Sequence, residues 1–226
     1  MSLKNQLKAI KLVIIIAVLS TIIGYVAFLN IPHILAKTIS HTTQTPVMIN
    51  NITFHSKAFT IQDLIISNPK EAYIPTAFKA EVVEIDASYK QYLKNLIIID
   101  KIEMNNVYIN IEFYTEDKIE GNWQDLIENM EVAHQPPSKG KRQALIKKLV
   151  LNNVQVTLIL SDGKIRRLSP ITQLEFDDIT SEQGIPTKEI SEIIARKMIY
   201  TIFRDEGLNL VIKIPIKVIK KILPFL

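Results

Sequence analysis

Twenty consecutive residues, Leu12 to Ile31 (LVIIIAVLSTIIGYVAFLNI), carry no formal charge. As a helix this run spans about 30 Å, the thickness of a bilayer's hydrocarbon core. Ser20, Thr21 and Gly24 are too small to make the polar stripe that a buried helix of a water-soluble domain shows. The run is therefore expected to cross a membrane, with Leu12, Ile16, Leu19, Ile23 and Phe28 as anchor residues. Lys4, Lys8 and Lys11 precede it closely, and only Lys37 follows within the next dozen positions. That asymmetry keeps the N-terminus in the cytoplasm and translocates everything beyond residue 31. A cleaved signal peptide needs a shorter apolar run and a small-x-small site, and no convincing one follows Phe28.

Charge decides between classes of partner. The formal net charge of +4 divides into +3 over residues 1–11, −3 over 12–206 and +4 over 207–226. A nucleic-acid binder clusters Lys and Arg across its folded body, so no nucleic-acid partner is expected. The 226 residues contain no cysteine, which removes disulfides, thiolate metal sites and thiol nucleophiles.

The remainder reads as strands. Val47–Phe54 and Ala58–Ser67 follow the polar stretch His41–Thr45, where the helical period disappears. Apolar residues alternate at Phe59 and Ile61, then at Leu64 and Ile66, and the one-residue shift between the pairs predicts a bulge or bend. Asn68 and Pro69 close that strand as a turn. Phe78–Tyr89 alternates on both parities, so both faces are covered for part of its length or its parity switches. Leu96–Met104 and Val107–Phe113 follow, and the order predicts a meandering antiparallel sheet without a strand–helix–strand crossover. Asn122 is a plausible cap for a helix over 122–131, whose apolar face carries Trp123, Leu126, Ile127 and Met130. Residues 134–143 form a linker or exposed loop with Pro136-Pro137.

Beyond the loop the pattern repeats. Residues 102–109 (IEMNNVYI) align with 149–156 (LVLNNVQV), each an apolar strand, an Asn-Asn step and an alternating strand. Asp162-Gly163 predicts a two-residue hairpin, Ile171–Ile179 a strand, and Pro186-Thr187 the opening of a helix near 188–205. Residues 208–216 alternate like a strand, whereas 216–223 also fit a basic amphipathic helix. The organisation is a basic tail (1–11), an anchor (12–31), a first β-rich module (32–133), the loop, and a second β-hairpin module with a terminal helix and a basic end (144–226).

No catalytic constellation is visible. The four histidines are scattered without metal-ligand spacing, and six glycines offer no phosphate loop. Ser161-Asp162 sits in a hairpin turn, and Asp177-Asp178 is most simply a surface pair. No enzyme activity, metal or cofactor is expected.

The anchor, the strand pair ending in Asn68-Pro69, the Tyr89–Leu93 connection, the Asn-Val strand and Asn122-Trp123-x-x-Leu126 together resemble the N-terminal portion of AsmA-like bacterial proteins. The likeness covers roughly residues 8–130. Asn-Pro after a strand is similar, over less of the chain, to late-embryogenesis-abundant proteins with one N-terminal helix. The AsmA-like resemblance implies an inner-membrane-anchored periplasmic protein, a curved sheet whose concave apolar face is a half-open groove for acyl chains, and a role in phospholipid traffic or outer-membrane integrity. Membrane lipid is then the partner, with an envelope protein as a further one. The groove would be lined by Val107, Ile109, Ile111, Phe113, Val154, Val156, Leu158 and Leu160, with Asn68, Pro69, Asn122 and Trp123 structural. A membrane-tethered protein-interaction module is the alternative. An open groove differs from a closed core in exposing an apolar patch beyond roughly 300–600 Å².

Overall fold

A computed structural model describes residues 29–69, 72–116, 120–132, 143–180 and 186–205. The anchor residues Leu12, Ile16, Leu19, Ile23 and Phe28 lie outside these, as do most of the 134–143 loop and the segment 208–226. Among the described residues, no helix is long and apolar enough to cross a membrane.

The body is a mixed sheet with helices on one face. Its strands are β1 (Val47–Phe54), β2 (Phe59–Ser67), β3 (Thr76–Asp86), β4 (Leu96–Ile99), β5 (Lys101–Glu112), β6 (Gln143–Ile159), β7 (Ile165–Arg167) and β8 (Ile171–Thr180). The order is β1-β2-β3-β5-β6, with β4 beside β5's flank of β6 and with β7 and β8 on β6's other flank. Among the described residues three α-helices accompany it: α1 (Ile31–Thr43), α2 (Asn122–Val132) and α3 (Pro186–Asp205). A 3-10 turn, Tyr89–Leu93, joins β3 to β4.

The sequence repeat is a pairing rule. β5 and β6 are parallel, and Ile102 faces Leu149, Val107 faces Val154 and Ile109 faces Val156. The spacing that aligns the two sequences is also the register of the two strands. Parallel neighbours require a crossover, and α2 supplies it. The meander expectation is corrected here: β5–α2–β6 is a strand–helix–strand unit. Strands on both sides of residues 134–143 consequently share one sheet and one core.

The shifts in parity are aligned from strand to strand. Asp63, Asn106 and Asn153 adopt the left-handed backbone conformation, with φ of 50°, 53° and 50°. Asn and Asp enter that region at lower cost than other residues with a side chain. Each inserts one residue into the alternation, so Ile61 and Leu64, Ile102 and Val107, and Leu151 and Val154 all face the core. Both partners of each pair skip a position, so the register survives and a crease crosses the sheet. Side chains rung the crease: Asn153 Nδ2 donates to Asn106 Oδ1 at 2.8 Å, and Asn106 Nδ2 donates to Glu81 Oε2 at 2.8 Å. Asn152 Nδ2 also donates to Asn105 Oδ1 at 2.9 Å. Asp178 (φ 50°) marks a second crease, between Phe176 and Ile179 of β8.

The apolar rows form the core. Val107, Ile109, Ile111, Phe113, Val154, Val156 and Leu158 are buried, and Leu160 is half-buried against them. Trp123, Leu126, Ile127 and Met130 of α2 belong to the same cluster, as do Ala195, Met198, Ile199 and Ile202 of α3. Each such aliphatic side chain contributes about 1.5–3 kcal/mol by leaving water. These rows are thus buried in one cluster with side chains of α2 and α3.

α1 was not anticipated, because its sequence (IPHILAKTISHTT) mixes β-branched and polar residues. It starts at Asn30 with Pro32 in the first turn, where a missing N–H costs nothing. Thr38, Thr42 and Thr43 return their hydroxyls to carbonyls four residues back at 2.9–3.1 Å. Ile31, Leu35 and Ile39 pack on the core, and Gln44 (φ 55°) ends the helix.

On α3, partial burial of Lys197 pushes its ammonium below the usual lysine value of 10.5, outweighing the attraction of Asp177 and Asp178. A folded pKa below the unfolded one leaves a penalty fully present at neutral pH. The penalty is relieved as pH rises through the lowered value toward 10.5, because only the unfolded chain then keeps the proton. Lys197→Met should accordingly be more stable than the native chain at pH 7, with the difference shrinking toward pH 10.5 in denaturant titrations. A difference that grows with pH would contradict this.

Candidate functional site

Two places hold side chains that secondary structure alone does not explain. The first is an apolar cleft at the sheet end nearest residue 31. β1 and β2 meet in a hairpin over residues 55–58, closed by the His55 N–H donating to Ala58 O at 2.8 Å. Phe54 and Phe59 pair across the hairpin with ring centroids 5.9 Å apart and tilted by 32°. Opposite them stands the first turn of α1, presenting Ile31, Ile34 and Leu35, and between lie Ile52, Ala58 and Ala87. These residues enclose a cleft of about 360 Å³, and among the described residues lining it His55 alone is titratable. Ile34 is 57% exposed and Phe54 46%, so the mouth itself is apolar. Small-ligand pockets run from about 300 to 1,000 Å³. Apart from His55 the described walls are hydrocarbon, which suits an apolar ligand. Sequence reading missed the cleft because its walls come from a helix it did not place.

The second is a buried polar network at the opposite end. β3 begins at Thr76, so the edge of β5 beyond Ile109 has no strand beside it. Asn122 takes the place of a strand there: its Nδ2 donates to Asn110 O at 2.8 Å, and its Oδ1 accepts the Glu112 N–H at 2.8 Å. Nδ2 also donates to Asn68 Oδ1 at 2.6 Å, and Oδ1 accepts the Trp123 N–H at 2.9 Å. Two donors and two acceptor sites are the full capacity of an amide, and all are used. The indole Nε1 of Trp123 donates to the same Asn110 carbonyl at 2.7 Å. Asn68 Nδ2 donates to Ile74 O at 2.7 Å, which ties the turn after Pro69 to the network. Both oxygens of the buried Glu112 carboxylate accept the Tyr73 N–H at 2.9 Å. Pro69 itself is half-buried at the start of that turn.

The structure thus brings Asn68, Asn122 and Trp123 together, with one role corrected. The first helical bond of α2 runs from the Asp125 N–H to Gly121 O at 3.1 Å, so Gly121 holds the capping position. Asn122 stands one residue inside and faces the sheet edge. The hairpin after β6 is corrected too. The Gly163 N–H donates to Leu160 O at 2.8 Å and the Leu160 N–H to Lys164 O at 2.9 Å, giving a three-residue loop with Gly163 at φ 79°. Asp162 there accepts the Lys164 N–H at 3.0 Å and pairs with its ammonium at 2.6 Å, which makes it a turn residue. Among the described residues, no group of three or more His, Asp or Glu side chains is arranged to hold a metal ion. The chain matches no family model, no curated protein and no solved structure.

Proposed function

We propose that this chain is a membrane-tethered, non-enzymatic module of AsmA-like type. Its N-terminal run spans the inner membrane, its body stands in the periplasm, and the cleft at the end of its sheet takes up a phospholipid acyl chain. The observation that carries this reading is the position of the cleft. Its walls include Ile31, the last residue of the 20-residue apolar run, so the mouth opens where that run would leave a bilayer. Acyl chains would then pass from bilayer to protein with little exposure to water, which costs about 0.8 kcal/mol per CH₂.

Photo-crosslinking of the full chain in proteoliposomes tests it, using phospholipid with a diazirine near the acyl terminus. Adducts are expected on Phe54, Phe59 and Leu35 as well as in residues 12–31, and Ile34→Asp with Phe54→Asp should abolish those in the body. Both positions are exposed enough to accept the change without unfolding. Adducts confined to residues 12–31 would overturn the acyl-chain reading.

One feature favours a protein-interaction module instead. At the far end, a cleft of about 280 Å³ lies between Tyr73-Ile74 and the β6–β7 hairpin. Tyr73 and Ile165 on its rim are 79% and 63% exposed, an apolar surface far from the expected membrane.

A further inference from the structure

The apolar surface that the fold leaves uncovered is concentrated at one end. Among the described residues, Leu29, Ile34, Phe54, Leu93 and Leu96 are exposed at the sheet end that carries the Ile31 cleft, and Met48, Tyr73 and Ile165 are exposed elsewhere. A lone exposed leucine is ordinary on a protein surface, whereas apolar side chains gathered in one place mark a contact.

The outermost described part of this end is the segment between β3 and β4. Phe59 of β2, Ile85 of β3, Ile102 of β5 and Leu149 of β6 form one row across the sheet. Leu96 of β4 pairs with Gln143, six positions before Leu149 on β6, which places it about 20 Å beyond that row. The 3-10 turn Tyr89–Leu93 leads into β4 and starts two residues after Ala87 of the cleft wall. Leu93, Lys94, Asn95 and Leu96 are all exposed, Leu93 at 82%. Neither leucine belongs to the core cluster, so packing does not explain them.

Charge identifies the partner. Residues 87–99 hold Lys90 and Lys94 and no acid, and Lys57 is exposed on the β1–β2 hairpin beside the cleft. The acids of this end stand inward of Leu96. Asp86 is level with Lys101, the Asp177-Asp178 pair lies between the levels of Lys148 and Ile146, and Asp100 pairs with Lys147 at 2.6 Å. Leucine beside lysine suits a lipid–water interface: the apolar side chain enters it while the ammonium stays among the headgroups.

We propose that residues 89–96 form a second membrane contact, in which Leu93 and Leu96 enter the interface and Lys90 and Lys94 bind the phosphates of anionic phospholipids. The apolar run of residues 12–31 finishes at this same end, since Ile31 lines the cleft, so a bilayer entered by that run lies against Leu93. Two attachments fix the tilt of the body and hold the cleft mouth to the bilayer, where a single span would let it swing. The contact rests on residues 12–31 crossing a membrane, and it does not need the cleft to hold an acyl chain.

The cysteine-free chain allows one probe at a time. A nitrobenzoxadiazole fluorophore on Leu93→Cys, Met48→Cys or Ile16→Cys of the full chain is read in vesicles of phosphatidylglycerol and phosphatidylcholine in equal parts, with a nitroxide-bearing lipid as quencher. Met48 is also exposed but lies six residues up β1 from Phe54, so it reports a body position away from the bilayer. Quenching at Leu93 should exceed that at Met48 severalfold, and it should fall severalfold in Lys90→Glu with Lys94→Glu or in phosphatidylcholine alone. Equal quenching at Leu93 and Met48, with Ile16 strongly quenched, would leave the span in place and overturn the contact. An unquenched Ile16 would remove the span and the contact with it. Quenching at Leu93 that is indifferent to both the lysine exchange and the headgroup would overturn the anionic partner.

Discussion

Asn122→Asp is expected to destabilise the body by about 3–5 kcal/mol, although the two side chains have the same shape. The substitution turns Nδ2 into an oxygen that faces Asn68 Oδ1 at 2.6 Å and Asn110 O at 2.8 Å. Two attractive contacts become repulsive in a place shielded from bulk solvent, since Asn122 is fully buried. A carboxylate there is also close to Glu112, whose own backbone N–H binds the same side chain. Asn122→Leu removes the repulsion but strands the Glu112 N–H and Asn68 Oδ1, each at about 1–3 kcal/mol. Both variants take a large share of the ~5–15 kcal/mol that holds a typical domain together. Urea titration of the full chain, followed by the fluorescence of Trp123, reads the loss directly. A shift within about 0.5 kcal/mol, as at ordinary surface positions, would show that the amide is not pairing the edge of β5.

Gly121→Ala is the second large effect. A Cβ at this position would sit 2.2 Å from the Glu112 carbonyl oxygen and 3.3 Å from its carbon, and both are backbone atoms. The approach is fixed by the bridge between Phe113 and Gly121 and by the Tyr114 N–H donating to Glu120 O at 2.9 Å. Admitting a methyl group means opening that bridge by about an ångström, at a cost of ~3 kcal/mol or more. The same opening pulls Asn122 away from its partners on Asn110 and Glu112. Gly121→Ala and Asn122→Leu should therefore combine to less than their sum in a double-mutant cycle, because each damages one contact zone. Additive effects would mean that the two residues act separately.

Much of the sheet can be read from residue types. The shift between Ile61 and Leu64 is visible as broken alternation, and Asp63 at φ 50° is its cause. The IEMNNVYI and LVLNNVQV segments carry their own register. Their parallel direction was hidden, since the crossover helix, Asn122–Val132, is only 11 residues long. Asn105-Asn106 looks like a turn pair, and the left-handed residue is indeed there. The flanking strands continue in ladder with their neighbours, so it folds a crease within one strand. Val107, Ile109 and Ile111 illustrate a harder limit: an alternating apolar row has the same sequence whether lipid or a helix covers it. The acyl-sized cleft was invisible for the complementary reason. Its walls come from α1, β1, β2 and Ala87, and the Ile31, Leu35, Ile39 period that marks α1 follows directly on the apolar run expected to cross a membrane and merges with it.

The central claim, an apolar cleft held at a membrane surface, is tested most directly by depth measurement with nitroxide labels in proteoliposomes. Single cysteines at Ile16, Phe54 and Tyr73 of the full chain would report relative exposure to oxygen and to a water-soluble nickel chelate. The account predicts Ile16 in the hydrocarbon, Phe54 at the interface and Tyr73 in water. A Phe54 label as accessible to the chelate as Tyr73, with Ile16 still in the bilayer, would leave the anchor standing and contradict the membrane-facing cleft.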